Sequence, residues 1–181
     1  MESLQLKFQI NYKEFAEMDR FFMVSGEILK NLKPMFEKFI PTIRKEIKDQ
    51  FSAEGKPEKW KELSAGYLAS PQKMNSKYPM KILKLTGGMW KAATKDGAPG
   101  NISVADNNGL TYGVSLETFP YARLHDAGGK IGGICKGSIM PKREFIKLTK
   151  EGVKRIMQKA HKFIRSEMKA GRVHFTGGDG I

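Results

Sequence analysis

Apolar and polar residues alternate strictly from Leu4 to Ile10 (Leu-Gln-Leu-Lys-Phe-Gln-Ile), and a period of two predicts a half-buried β-strand. Asn11 then supplies a side-chain oxygen suited to a helix N-cap. Phe15, Met18, Phe21, Phe22, Ile28, Leu29 and Leu32 predict a helix from Lys13 to about Leu32, with Gly26 as an interruption. A clearer stripe follows over residues 33–52. Phe36, Ile40, Ile43, Ile47 and Phe51 share one face, with Phe39 beside them, while Lys33, Glu37, Lys45, Lys48 and Asp49 fall elsewhere. Pro34 suits a first helical turn. Pro41 removes a donor and crowds the preceding turn, so the helix is expected to kink or restart at about residue 41.

Residues 53–80 break the periodicity with Gly55, Pro57, Gly66, Pro71 and Pro79. They predict a long loop anchored by Trp60, Leu63, Tyr67 and Leu68, with room for a short helix over 58–69. A segment of this length suggests a functional arm or mobile loop. Thr86-Gly87-Gly88 predicts a short helix over about 87–94, capped by Thr86. Ile102–Ala105 and Leu110–Leu116 flank Asp106-Asn107-Asn108-Gly109, a hairpin signal because Asn-Gly tolerates the positive φ of a tight turn. Tyr121–Ala127 reads as a short helix or turn. Residues 127–138 hold five glycines (128, 129, 132, 133 and 137) and predict a loose hairpin tip. After Pro141, the apolar positions Phe145, Leu148, Gly152, Ile156, Ala160 and Phe163 predict a helix from Glu144 to about Lys169, ended by Gly171. Residues 173–181 read as a flexible tail. Helices segregated from antiparallel strands indicate an α+β domain over residues 1–172, in which a hairpin-bearing antiparallel sheet packs against long N-terminal and C-terminal helices.

Charge changes this picture more than composition does. The 181 residues hold 32 Lys and Arg against 19 Asp and Glu, a net charge of +13. Residues 142–172 alone carry 11 basic and 3 acidic side chains, so more than half of the excess sits on the last helix. That helix could neutralise nucleic-acid phosphates, line a ring around DNA, dock on an acidic neighbour, or be a solvated face. Sequence leaves these readings open.

Candidate chemistry is sparse. Cys135 is the single cysteine, which excludes an internal disulfide and a Cys-based zinc site and fits an intracellular compartment. His125, His161 and His174 are not spaced as metal ligands. No Gly-x-Ser-x-Gly elbow appears, and the glycines after residue 127 lack the Gly-Lys-Ser/Thr ending of a phosphate loop. No basic-then-apolar leader opens the chain, and no apolar run approaches the 18 or so residues of a membrane span. These observations predict a non-enzymatic chain with no cofactor and no membrane partner.

Four short signals occur in order: Trp60-Lys61-Glu62-Leu63; Ile82, Leu83, Thr86 and Gly87, with Met89 close behind; Tyr121, Ala122, His125, Gly128 and Gly129; and Pro141, Arg143 and Phe145. Over residues 45–165 the chain thereby resembles the tailed-phage virion morphogenesis family, which includes tail completion proteins of contractile-tailed and Mu-like phages. It departs from the family pattern at Glu144, where a second Pro is usual, and at Asp126-Ala127. The resemblance implies a tail-terminator-like α+β fold and a structural role at the phage neck, in a virion assembled in the host cytoplasm. It implies a homo-oligomer, typically a hexameric ring, touching neighbouring neck and tail proteins, with DNA in its lumen. A tail terminator or a transient assembly factor would share the motifs, and a sequence-independent DNA-binding protein is the alternative from another class. The residues expected to make subunit or DNA contacts are Arg123, His125, Lys130, Lys136, Lys142, Arg143, Lys154 and Arg155. Thr86, Gly87, Gly128, Gly129 and Pro141 are expected to act through backbone conformation.

Overall fold

In the computed structural model, residues 3–8, 31–131 and 138–169 are described. The expected helix over 13–32, except for its last two residues, lies outside them, as do Cys135, Lys136, Gly171 and the tail. The elements, in chain order, are β1 (Ser3–Phe8), α1 (Lys33–Glu37), α2 (Ile40–Ala53), α3 (Ala65–Leu68), α4 (Pro71–Met74), α5 (Gly88–Thr94), β2 (Asn101–Ala105), β3 (Leu110–Ser115), α6 (Ala122–Ala127), β4 (Gly129–Lys130), β5 (Ile139–Met140) and α7 (Lys150–Lys169). Helices and two small antiparallel sheets, ordered β1-β3-β2 and β4-β5, make this an α+β chain.

The break at Pro41 is real. α1 stops at Glu37 and α2 restarts with Pro41 in its first turn, where its missing N–H costs nothing. Ile43, Ile47 and Phe51, spaced by four along α2, are buried together with Phe36 and Phe39. α2 packs against α5 and α7, and α5 in turn lies on β2 and β3. Met89, Ala92 and Ala93 of α5 are buried. Two side chains from the strands bond its carbonyls: Tyr112 Oη to Ala93 O at 3.1 Å and Asn101 Nδ2 to Ala92 O at 2.7 Å. The short α5 thus faces the hairpin, and α1 touches β2 as well. β1 joins the hairpin antiparallel, in a register that sets Leu4, Leu6 and Phe8 opposite Val114, Tyr112 and Leu110. Among the described residues one apolar cluster runs from Leu32 through α1, α2, α5, β3 and α6 to Phe163.

Three expectations need correction. The hairpin turn contains no residue with positive φ. Asp106 Oδ1 instead accepts the N–H groups of Asn108 and Gly109 at 2.7 and 2.9 Å, so a side chain closes the turn. The last helix begins at Lys150, not Glu144. Thr149 is its cap: Oγ1 accepts the Gly152 N–H at 3.0 Å and donates to Glu46 Oε2 at 2.6 Å. The buried residues Gly152, Ile156, Ala160 and Phe163 then form the expected stripe.

The third correction concerns residues 53–80, which are pinned to the body. Short helices α3 and α4 start at Ser64 and Ser70, each capping through its hydroxyl. Lys73 is 1% exposed, and its Nζ donates to three backbone carbonyls, Tyr78 O, Lys81 O and Lys84 O, at 2.7, 2.8 and 2.8 Å. Burial lowers its pKa, an effect opposed by Glu54. All three ammonium hydrogens find acceptors, so the lysine acts as the knot of the 70–85 loop.

Two predictions follow from these contacts. Lys73→Met strips three inward carbonyls of their donor at about 1–3 kcal/mol for an unmet buried group. The variant should lose that order of stability in urea unfolding and be cut faster by protease between residues 70 and 86. At Gly152, an added Cβ would stand 2.6 Å from Glu46 Oε2, whereas none of the surroundings of Gly66 comes within 4 Å. Gly152→Ala should therefore cost about 1–3 kcal/mol through overpacking, and Gly66→Ala should gain about 0.4–1 kcal/mol, both read from denaturant midpoints.

Candidate interaction surface

Three of the four sequence signals meet in one hydrogen-bonded framework. Trp60 is buried, edge-on to Phe51 at 5.5 Å, and Phe51 in turn tilts against Phe145 at 5.6 Å. Trp60 Nε1 donates to Glu144 O at 3.2 Å. Arg143 donates from Nε to Lys61 O at 3.0 Å and from its terminal nitrogen to Glu62 O at 3.2 Å. Its own N–H goes to His125 O at 2.9 Å. Asp126 Oδ1 accepts the N–H groups of Phe145 and Ile146 at 2.9 and 3.4 Å. The segment before α7 is therefore bound on one side to residues 60–62 and on the other to α6. Asp126 thus ties residues 145 and 146 to α6, and the helix begins only after Thr149, which caps its first turn.

The second signal anchors the adjoining loop. Glu54 Oε1 accepts the Ile82 N–H at 3.1 Å, and Lys73 holds Lys84 O. Gly87, at φ 84°, is the N-cap residue of α5 and closely abuts Tyr78. Thr86 stands one position earlier than expected, with Oγ1 accepting the Gly88 N–H at 3.3 Å.

Gly128 and Gly129 have φ of 72° and 139°. A Cβ on Gly128 would come within 2.9 Å of Lys142 N. These two glycines let the chain double back from α6 into the β4–β5 stem, whose pairs are Gly129 with Met140 and Lys130 with Ile139. Pro141 follows directly, half-buried.

The expected contact residues divide. Arg123 and Lys130 are exposed, with no ion-pair partner among the described residues. Lys142 is exposed but bonded to Glu144 at 2.8 Å. His125 is half-buried, edge-on to the Tyr121 ring at 5.8 Å, and burial, then the Arg143 charge, lowers its pKa. Arg143 is the clear correction: at 4% exposure it faces inward and is a structural tie, not a surface contact. Lys154 and Arg155 lie on α7, whose main neighbours are α1 and α2. Arg155 bonds the buried Glu46, while Lys154 is unpaired among the described residues. Sequence reasoning missed Lys73, Glu46 and Asp126. Only Asp126 left a trace, as a departure from the family pattern.

Exposed apolar side chains edge this region: Ile139 on the stem is 74% exposed and Tyr121 on α6 is 47% exposed. Among the described residues, no group of three His, Cys, Asp or Glu side chains is placed to hold a metal ion, and no helix is long and apolar enough to cross a membrane.

Burial pushes the Asp126 carboxyl above its ordinary range, partly offset by the two N–H bonds it accepts. The folded chain therefore holds this proton more tightly than the unfolded chain, and its stability falls as pH rises just above the usual carboxylate value. Asp126→Asn keeps the acceptor oxygen and should abolish that decline in urea titrations run between acid and neutral pH. Asp126→Ala leaves two N–H groups unmet and should cost about 1–3 kcal/mol.

Compared with protein-family descriptions, with curated proteins and with solved structures, the chain matches none.

Proposed function

We propose that this chain is a structural subunit of a tailed-phage virion, completing the tail at the head–tail junction as a member of a ring. The observation that carries this reading is that the motif residues are the ones that hold each other. Trp60, Arg143 and the 121–129 turn are spread over more than eighty positions, yet they tie one framework together through backbone carbonyls and N–H groups. A motif set that marks a shared fold should interlock in this way, whereas a catalytic set should converge side chains on an open space.

That framework presents surfaces suited to neighbours. The β4–β5 stem carries exposed Ile139 and Lys130, and β2 is an edge of its sheet, with Val104 58% exposed. Unpaired strand edges and apolar stems are sites where a second chain adds on, and head-to-tail contacts of this kind close into rings. A tail terminator and a transient assembly factor differ from this reading in whether the chain remains in the finished particle and at which joint.

The test is location and assembly. Purified particles should contain the chain by mass spectrometry, and a cryo-EM map of the neck should place it in a ring. In sedimentation, the assembled form should approach about six times the 20.4 kDa of one chain. A chain absent from particles that also stays monomeric beside neck and tail components would overturn the reading.

A further inference from the structure

Helix α7 presents a row of cations that no other described residue answers. Its buried side is Gly152, Ile156, Ala160 and Phe163. At about 100° per residue, Lys150, Lys154, Lys162, Arg165 and Lys169 fall together on the opposite side, and all five are exposed. None has an ion-pair or hydrogen-bond partner among the described residues. The acids nearby are used elsewhere: Glu46 by Arg155, Glu37 by Lys33 and Asp49 by Lys45. Glu151 is the acidic side chain that shares this half of the helix.

The arrangement is also stiff. Thr149 caps the helix start, Glu46 clamps it through Thr149 and Arg155, and Lys159 Nζ bonds Lys38 O at 3.1 Å near the middle. The five cations therefore span about 28 Å at 1.5 Å per residue on a fixed line. Over that length a DNA duplex carries about sixteen phosphate charges.

We infer that this face of α7 binds the phosphate backbone of double-stranded DNA without reading sequence. The occupant follows from charge complementarity and from what the face lacks. A protein partner of a specific interface meets a cluster of aromatic or aliphatic anchors, whereas this side of α7 is dominated by basic residues. A membrane-surface helix lays an apolar side into lipid, whereas the apolar side of α7 is in the core. A polyanion needs neither. The inference deepens the neck reading, which supplies the place where a duplex would pass, but the binding is a property of the isolated chain.

The experiment is fluorescence anisotropy of the full chain with a labelled mixed-sequence duplex of about 24 base pairs, longer than the helix. The expected slope of log K against log salt is about −4.5 for five neutralised phosphates. Lys154→Gln with Arg165→Gln should reduce the magnitude of that slope by about two and leave the thermal midpoint unchanged. Lys77→Gln with Lys91→Gln removes the same charge from other exposed positions and should leave the slope as it was.

Absent or salt-insensitive binding would overturn the inference. So would an equal loss in the Lys77/Lys91 control, which would mean attraction by net charge alone. Tighter α7-dependent binding to polyglutamate or to anionic vesicles than to the duplex, at matched salt, would reassign the face. Particles that contain the chain together with a null anisotropy result sink this inference alone; duplex binding by a chain that is absent from particles and stays monomeric beside neck and tail components sinks the neck reading alone.

Discussion

The fold depends on a guanidinium buried without a carboxylate. Arg143 spends its donors on Lys61 O and Glu62 O, and its N–H on His125 O, so that three stretches distant in sequence are fixed by one residue. Burial lowers its pKa, an effect opposed by Tyr67, yet a guanidinium keeps its proton throughout the ordinary pH range. The tie is therefore permanent, and the chain on either side has to supply carbonyls to it. Trp60 closes over the same junction, and the aromatic contacts to Phe51 and Phe145 follow from that placement.

The same solution recurs. Lys73 binds three carbonyls, Lys59 binds Ala53 O and Lys159 binds Lys38 O. A chain with 32 basic and 19 acidic side chains cannot pair each cation with an acid. Partial negative charge on the backbone serves instead, wherever a turn can be bent to gather carbonyls around one nitrogen. This explains how an irregular stretch such as residues 53–85 is held without much regular structure. The buried Glu46 serves the α2–α7 contact and the half-buried Asp126 the segment before α7, and each satisfies more than one donor.

Much of the framework was legible in the sequence because its signals are local. Pro41 splits two helices, Asp106–Gly109 joins two strands, and Gly128-Gly129 turns the chain back. The start of α7 was not legible from periodicity. Phe145 and Ile146 continue the apolar spacing of the helix, but they belong to the non-helical segment tied to α6 through Asp126, a contact across nineteen and twenty positions that periodicity does not show. The inward course of Arg143 and Lys73 had no signature, since nothing in a basic residue's neighbours states whether carbonyls will surround it. Of the candidate surface, Arg123, Lys130 and Lys154 are exposed, whereas Arg143 is buried and shows where a charge-based reading fails.

The turn between β2 and β3 is closed by a carboxylate rather than by a backbone shape reserved for glycine. Asn107 lies at its exposed tip, and its side chain makes none of the closing bonds. Foreign residues could be spliced there at little expense, so long as Asp106 keeps its hold on the N–H groups of Asn108 and Gly109. That makes the hairpin apex a natural handle, where a label would ride on the outside of the molecule without touching the Arg143 junction or the face of α7.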